Sequence, residues 1–175
     1  MKILMLFATL VFLLPSALAQ QSSPNPVADA VRHTFERQAK NLTAAAEEMP
    51  ADKYGFHPTP QQMTFGKLVE HIAKSNRIVC SGIAGAAEPK GNGATETDGK
   101  DKLVADMKDS FDYCSSVLAK VDDSKLGEQV NFFGGHKVSR AAALMAVTND
   151  LADHYAAAAM YLRLNGLLPP TAQKK

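Results

Sequence analysis

Tryptophan is absent from this 175-residue chain, and cysteine occurs only twice. Val, Ile and Thr do not gather into alternating runs, so the period-two signature of half-buried strands is missing. The formal net charge is +1. No basic patch is interleaved with aromatics, so nothing favours nucleic acid as a partner. There is no Cys-x-x-Cys, no internal repeat, and no Ser/His/Asp or Cys/His arrangement for metal-free nucleophilic catalysis. Gly91-Asn92-Gly93 is not followed by a strand-to-helix pattern, which excludes a phosphate loop.

What is present points to helices. The chain is 46% hydrophobic and 21% charged, the balance of one ordinary globular domain. A domain near 150 residues buries roughly 68–70% of its unfolded surface and needs no staples to hold a core. Ala, Leu, Lys, Met and Glu dominate the periodic segments, and these are good helix formers.

Residues 1–19 read as a signal peptide. Lys2 is a short positive start, Ile3 to Leu14 an apolar run, and Ala17-Leu18-Ala19 a small-x-small cleavage site. A membrane span needs about 20 apolar residues, and Pro15-Ser16 break this run; an uncleaved anchor is the alternative. Gln20 follows the site, so no cysteine stands there for lipid attachment. The mature chain is then exported, periplasmic or secreted, with no membrane partner once the signal is gone. Residues 20–25 form a flexible leader, 26–170 the domain, and 171–175 a flexible tail.

Export changes how Cys80 and Cys114 read. They are an even pair in an oxidising compartment and can close a disulfide. A loop of about 35 residues would stabilise the fold by roughly 3–4 kcal/mol on the chain-entropy model. Two buried free thiols are the other reading. A catalytic thiol fits less well, because no activating charge stands beside either.

Four helices follow. The first spans Pro26 to Met49, with Asn25 as cap and Val27, Val31, Phe35, Leu42, Ala46 and Met49 at helical spacing. His33 falls on the solvated side. Asn41-Leu42-Thr43 matches a glycosylation sequon, but it lies mid-helix. Pro50 to Met63 is an irregular connector whose Tyr54 and Phe56 cover one end of the core, with His57 at the surface. The second helix runs from Thr64, its cap, to about Gly85, with His71 at the edge of the Leu68, Ile72, Val79, Ile83 stripe. Ala86 to Gly99 is a mobile crossover loop without apolar period. The third helix covers Lys100 to Val121 and turns Cys114 inward, within reach of Cys80. Asp122 to Val138 is a second long connector, with a short extended turn over residues 130–135 and His136 at the surface. Ser139 opens the fourth helix. Such helices, each about 33 to 40 Å long, make an all-α four-helix bundle. The short first connector predicts that helices one and two are neighbours, while the later loops are long enough for a crossover.

The fourth helix organises the rest. It ends at Gly166 and Pro169-Pro170, a left-handed cap and a stop. Asp150 and His154 stand four residues apart, on one face. That face also carries Ala143, Val147, Ala157, Ala158 and Tyr161 and points into the core. A carboxylate and an imidazole on an apolar stripe cost a few kcal/mol unless satisfied. Either they bind each other and a neighbour, or they bind a metal.

Two segments, FHPTPQQMTFGKLVEHIA and NDLADHYAAAAMYLRLNGLLPP, resemble the DinB-like family (the DinB/YfiT superfamily), over roughly Val27 to Pro170. The resemblance implies a four-helix bundle holding a divalent metal with three side chains, usually histidines. One comes from the second helix and two, four residues apart, from the fourth. Carried over, these fall on His71, Asp150 and His154, with a carboxylate where relatives have an imidazole. Two His and a carboxylate suit hydrolytic zinc and non-haem iron sites, so Zn, Ni and Fe are not distinguished. Many relatives have Gln three residues after the last ligand; Ala157 stands there here. Asp153, Asn149 or Tyr161 would have to take over any orienting role of that Gln.

Two functions follow from the resemblance. One is an exported metal-dependent hydrolase or thiol transferase, with Tyr155 or Tyr161 as a substrate contact. Export argues against reliance on a cytosolic thiol. The other is a non-catalytic protein that binds a metal or small ligand in the same pocket, with a homodimer as one arrangement.

Overall fold

The computed structural model describes residues 23–173. The signal sequence 1–19 and the first leader residues, 20–22, lie outside that range, as do residues 174 and 175 of the tail. Four helices carry the fold: α1 (Pro26–Glu48), α2 (Phe65–Ala84), α3 (Lys100–Leu118) and α4 (Arg140–Leu164). Among the described residues, no helix is long and apolar enough to cross a membrane.

The stops and starts are local chemistry. Thr64 Oγ1 accepts from Lys67 N at 3.0 Å, and Ser139 Oγ accepts from Ala142 N at 3.2 Å, so each satisfies an orphan donor of a first turn. Gly85 ends α2 at φ 64°. Gly166, at φ 75°, lets Leu167 N reach back to Leu162 O at 3.0 Å, which closes α4.

The start of α1 departs from the expected pattern. Asn25 makes no side-chain cap. Asp123, from the turn after α3, presents its carboxylate to Val27 N and Ala28 N at 2.9 and 2.8 Å. A carboxylate at the positive end of a helix outbids a neutral amide. Asn25 Oδ1 instead accepts from Asp123 N at 2.9 Å. Val27 is exposed, and Ala28 takes the inward place.

Contacts along the helices give their directions. Asn76 Nδ2 donates to Ser110 Oγ at 3.0 Å, and one turn further along both helices Cys80 is bonded to Cys114. So α2 and α3 run parallel, and residues 85–99 carry the chain back to the opposite end. Lys100 Nζ donates to Met49 O at 2.9 Å, and Arg32 donates to Leu118 O at 3.0 Å, which makes α3 antiparallel to α1. Arg140 donates to Ile83 O, and Tyr161 Oη to Met63 O at 2.6 Å, which makes α4 antiparallel to α2. The order is up, down, down, up. Helix α1 packs on α4 and α3, and α2 packs on α3 and α4.

Helices one and two are therefore diagonal, not neighbours as the short connector suggested. The connector crosses the end of the bundle rather than folding back beside α1. It is held there by Tyr54, whose hydroxyl donates to Ala46 O at 2.7 Å and whose ring meets Phe65 edge-on at 5.2 Å. Phe56 packs edge-on against Tyr161 at 6.1 Å. These aromatics close that end of a core built around Phe35, Leu42, Ile72, Met107 and Leu151.

The extended turn expected near 130–135 is a small antiparallel hairpin. Strands β1 (Gln129–Asn131) and β2 (Lys137–Ser139) pair Val130 with Val138. The hairpin lies against α2 at Gly82, where an added Cβ would stand 2.1 Å from Asn131 O. The crossover loop has no regular structure, but it is fixed over a buried ion pair. Arg77 grips Asp106 through two bonds of 2.8 and 2.9 Å. Asn92 N donates to the same carboxylate at 2.9 Å, and Gly91 rests on the guanidinium, leaving no room for a side chain.

Candidate functional site

His71 lies near the start of α2, and Asp150 and His154 lie one turn apart on α4. Because these helices are antiparallel neighbours, residues far apart in sequence face each other across one seam. The rings of His71 and His154 meet edge to face, with centroids 5.1 Å apart and planes at 87°. Asp150 Oδ2 stands 3.1 Å from His154 Nε2. The structure thus brings together all three residues that the sequence singled out.

The contact between Asp150 and His154 is close but poorly aimed. It has the distance of an ion pair without the direction of a ring N–H hydrogen bond. Nε2 of His154 is consequently buried with no hydrogen-bond partner. Such an atom costs about 1–3 kcal/mol unless something satisfies it. His71 has a weak partner, since Ser75 Oγ lies 3.4 Å from its Nε2. Ser75 is buried and was legible only as a residue one turn on from His71.

The electrostatics favour ligand forms of these groups. Burial, and then the neighbouring His154, hold the His71 imidazole below its usual value, so it stays neutral to lower pH. Contact with the His154 ring holds the Asp150 carboxyl below the usual carboxylate range, against the opposing effect of burial. Neutral imidazole and carboxylate are the states that bind divalent cations. The donors fit such an ion in kind. As placed, however, they do not form a finished cage: among the described residues, no three His, Cys, Asp or Glu side chains are set to hold a metal.

The residues proposed to surround the site have other duties. Tyr161 is buried and its hydroxyl bonds Met63 O. Tyr155 Oη donates to Thr171 Oγ1 at 2.9 Å and accepts from Thr171 N at 3.1 Å. Thr171, expected in a loose tail, is thereby tied to α4. Asn149 and Asp153 are exposed, as are His33, His57 and His136. Ala157 offers no polar group beside the site.

Comparison with known proteins agrees with this fold. The family described as the DinB superfamily matches residues 34–158. No curated protein matches the sequence. Among solved structures, a DinB-like protein from Bacillus cereus aligns with a TM-score of 0.67 at 16% identity, over 81% of this chain and 95% of that one. A DinB-like protein from Bacillus subtilis aligns with a TM-score of 0.66 at 23% identity, over 83% and 99%. A mycothiol-dependent maleylpyruvate isomerase aligns with a TM-score of 0.61 at 13% identity, over 74% of this chain and 59% of the enzyme. At these identities the likeness is one of fold.

Proposed function

The chain belongs to the DinB superfamily, and from that premise we propose that it is an exported protein that holds a divalent metal ion with His71, Asp150 and His154. The observation that carries this reading is the buried Nε2 of His154, left without a hydrogen bond beside a carboxylate and a second imidazole. Two imidazoles and one carboxylate leave coordination positions open. Export rests on the leader sequence, and the Cys80–Cys114 bond suits an oxidising compartment.

A divalent cation here supplies Lewis acidity, which lowers the pKa of a water or thiol. The chain's own residues set the conditions. Asp150 offsets part of the cation's charge. His71 stays neutral through burial and keeps a lone pair available. Tyr161 ties α4 to the start of α2 and so fixes the spacing between the histidines. This arrangement supports metal-dependent hydrolysis or thiol transfer. One structural neighbour is named as a thiol-dependent isomerase, which shows that the fold accommodates an enzyme.

A non-catalytic metal-binding role is the second reading. It is favoured by the hydroxyls of Tyr155 and Tyr161, both engaged in structural bonds and so not free to act as acid or base.

Elemental analysis and calorimetric titration with Zn, Ni and Fe test the proposal. One equivalent of bound metal, lost in both His71→Ala and His154→Ala, is the expected result. Equal metal content in wild type and both variants overturns it. Turnover of ester, amide or thiol substrates that a chelator abolishes then separates enzyme from binder.

A further inference from the structure

Behind the α2–α4 seam, on the other side of α2, lies a pocket of about 360 Å³. That is the size of a small-ligand site. It is lined by α2, α3 and the crossover loop, with nothing from α4. Its floor is the Arg77–Asp106 pair, whose side chains are both more than nine-tenths buried.

The guanidinium in that floor is not saturated. Arginine has five N–H donors. One on Nη1 goes to Asp106 Oδ2, and the two on Nη2 go to Asp106 Oδ1 and O. The Nε–H and the second Nη1–H meet no acceptor among the described residues. The loop crosses the guanidinium at Gly91, where a Cβ would stand 2.6 Å from Arg77 Cζ. Glycine thus brings the loop close without laying a side chain over these donors.

The charges around the mouth are unbalanced. Of the three acids that line the pocket, Asp106 is held by Arg77 and Glu70 by Lys67 at 2.9 Å. Glu88 has no ion-pair partner among the described residues. Lys74 and Lys90 also line the pocket, are exposed, and make no ion pair there either. Two unpaired ammonium groups therefore face one unpaired carboxylate.

We propose that this pocket binds a compact dianion, a phosphate monoester or a dicarboxylate, between the ammonium groups of Lys74 and Lys90 and the spare donors of Arg77. Charge-assisted hydrogen bonds of this kind are the strong ones. The ion pair below keeps Arg77 in place, so the donors are set before the ligand arrives. Two ammonium groups select two negative charges over one. Glu88 opposes the ligand and keeps its affinity moderate.

Calorimetric titration of the mature protein with inorganic phosphate and with succinate tests this, with acetate as the monoanion. One equivalent of a dianion should bind, at least about tenfold more tightly than acetate. Lys74→Glu and Lys90→Glu should each weaken it by about tenfold or more, the worth of one hydrogen bond to a charged group. Lys120→Glu, exposed beyond the end of α3, should leave it unchanged, and Glu88→Gln should tighten it. If a charge reversal fails to fold, Lys74→Gln and Lys90→Gln are read in its place. The tighter of phosphate and succinate names the ligand class. No saturable binding of either dianion up to about 10 mM, equal binding of acetate, or indifference to both lysine variants overturns the proposal. Binding should persist in His71→Ala and after chelation. Loss in His71→Ala alone would assign the anion to the metal site and reject this pocket, so the two proposals fail separately.

Discussion

His71 and His154 stand edge to face across the α2–α4 seam, with ring centroids 5.1 Å apart. The edge of one imidazole points at the face of the other, beside a carboxylate that contacts only one of them.

Metal should therefore stabilise the protein. Addition of Zn, Ni or Fe at about 100 times the dissociation constant should add about 2.7 kcal/mol. His71→Ala or His154→Ala should abolish the gain, and a chelator should reverse it. Thermal unfolding with and without metal measures this.

The family pattern gives Asp150 a sharper test. Asp150→His restores the commoner donor and should keep metal binding, whereas Asp150→Asn should weaken it by at least about tenfold, since even outer partners of metal ligands contribute about 10–100-fold. Calorimetric titration of both variants checks the difference. Equal affinity in Asp150→Asn and wild type removes the carboxylate from the site.

Protons should oppose the metal. Burial holds the folded His71 below the usual imidazole value of 6.5. Its contribution to stability is then fully present above that value and is lost as pH falls through the lower, folded one. Metal affinity should fall over the same acid range. Titrations between about pH 5 and 8 show this, and His71→Gln should flatten the metal-free stability profile.

Breaking the Arg77–Asp106 pair should be expensive. Both side chains are buried, so Asp106→Ala strands a guanidinium and should cost about 3–5 kcal/mol. The double change Arg77→Met, Asp106→Leu should recover much of that loss. Urea unfolding distinguishes the two.

Gly82→Ala should destabilise by about 1–3 kcal/mol, the usual cost of overpacking, because its Cβ would strike the Asn131 carbonyl. Glycine here is required by a neighbouring backbone, not by its own dihedral angles. The same unfolding measurement reads the effect.

Local signals were legible in the sequence. Thr64 caps the helix it was expected to cap, Ser139 stands at the start of the helix it was expected to open, and the helix bounds follow the apolar spacing closely. Cys80 and Cys114 face each other because α2 and α3 run parallel, which spacing alone left open. The three candidate site residues were singled out through family resemblance, since a lone His71 at the edge of a stripe reads by default as a core histidine. Long-range electrostatics were not legible. Asp123 displaces Asn25 as the cap of α1, and Asp106 reaches Arg77 across the α2–α3 seam; neither pairing has a periodicity. The diagonal placement of α1 and α2 depends on where Tyr54 anchors its connector, which linker length does not state.

The grip of Asp123 on the first turn of α1 decides how the molecule could be mounted. It moors the chain's entry at the pole where α3 ends, whereas His71 lies toward the opposite pole, two turns into a helix that starts there. A fusion partner or solid support joined ahead of Ser23 would emerge on the far side from the histidines. Immobilisation by that end should leave their seam open to whatever diffuses toward it.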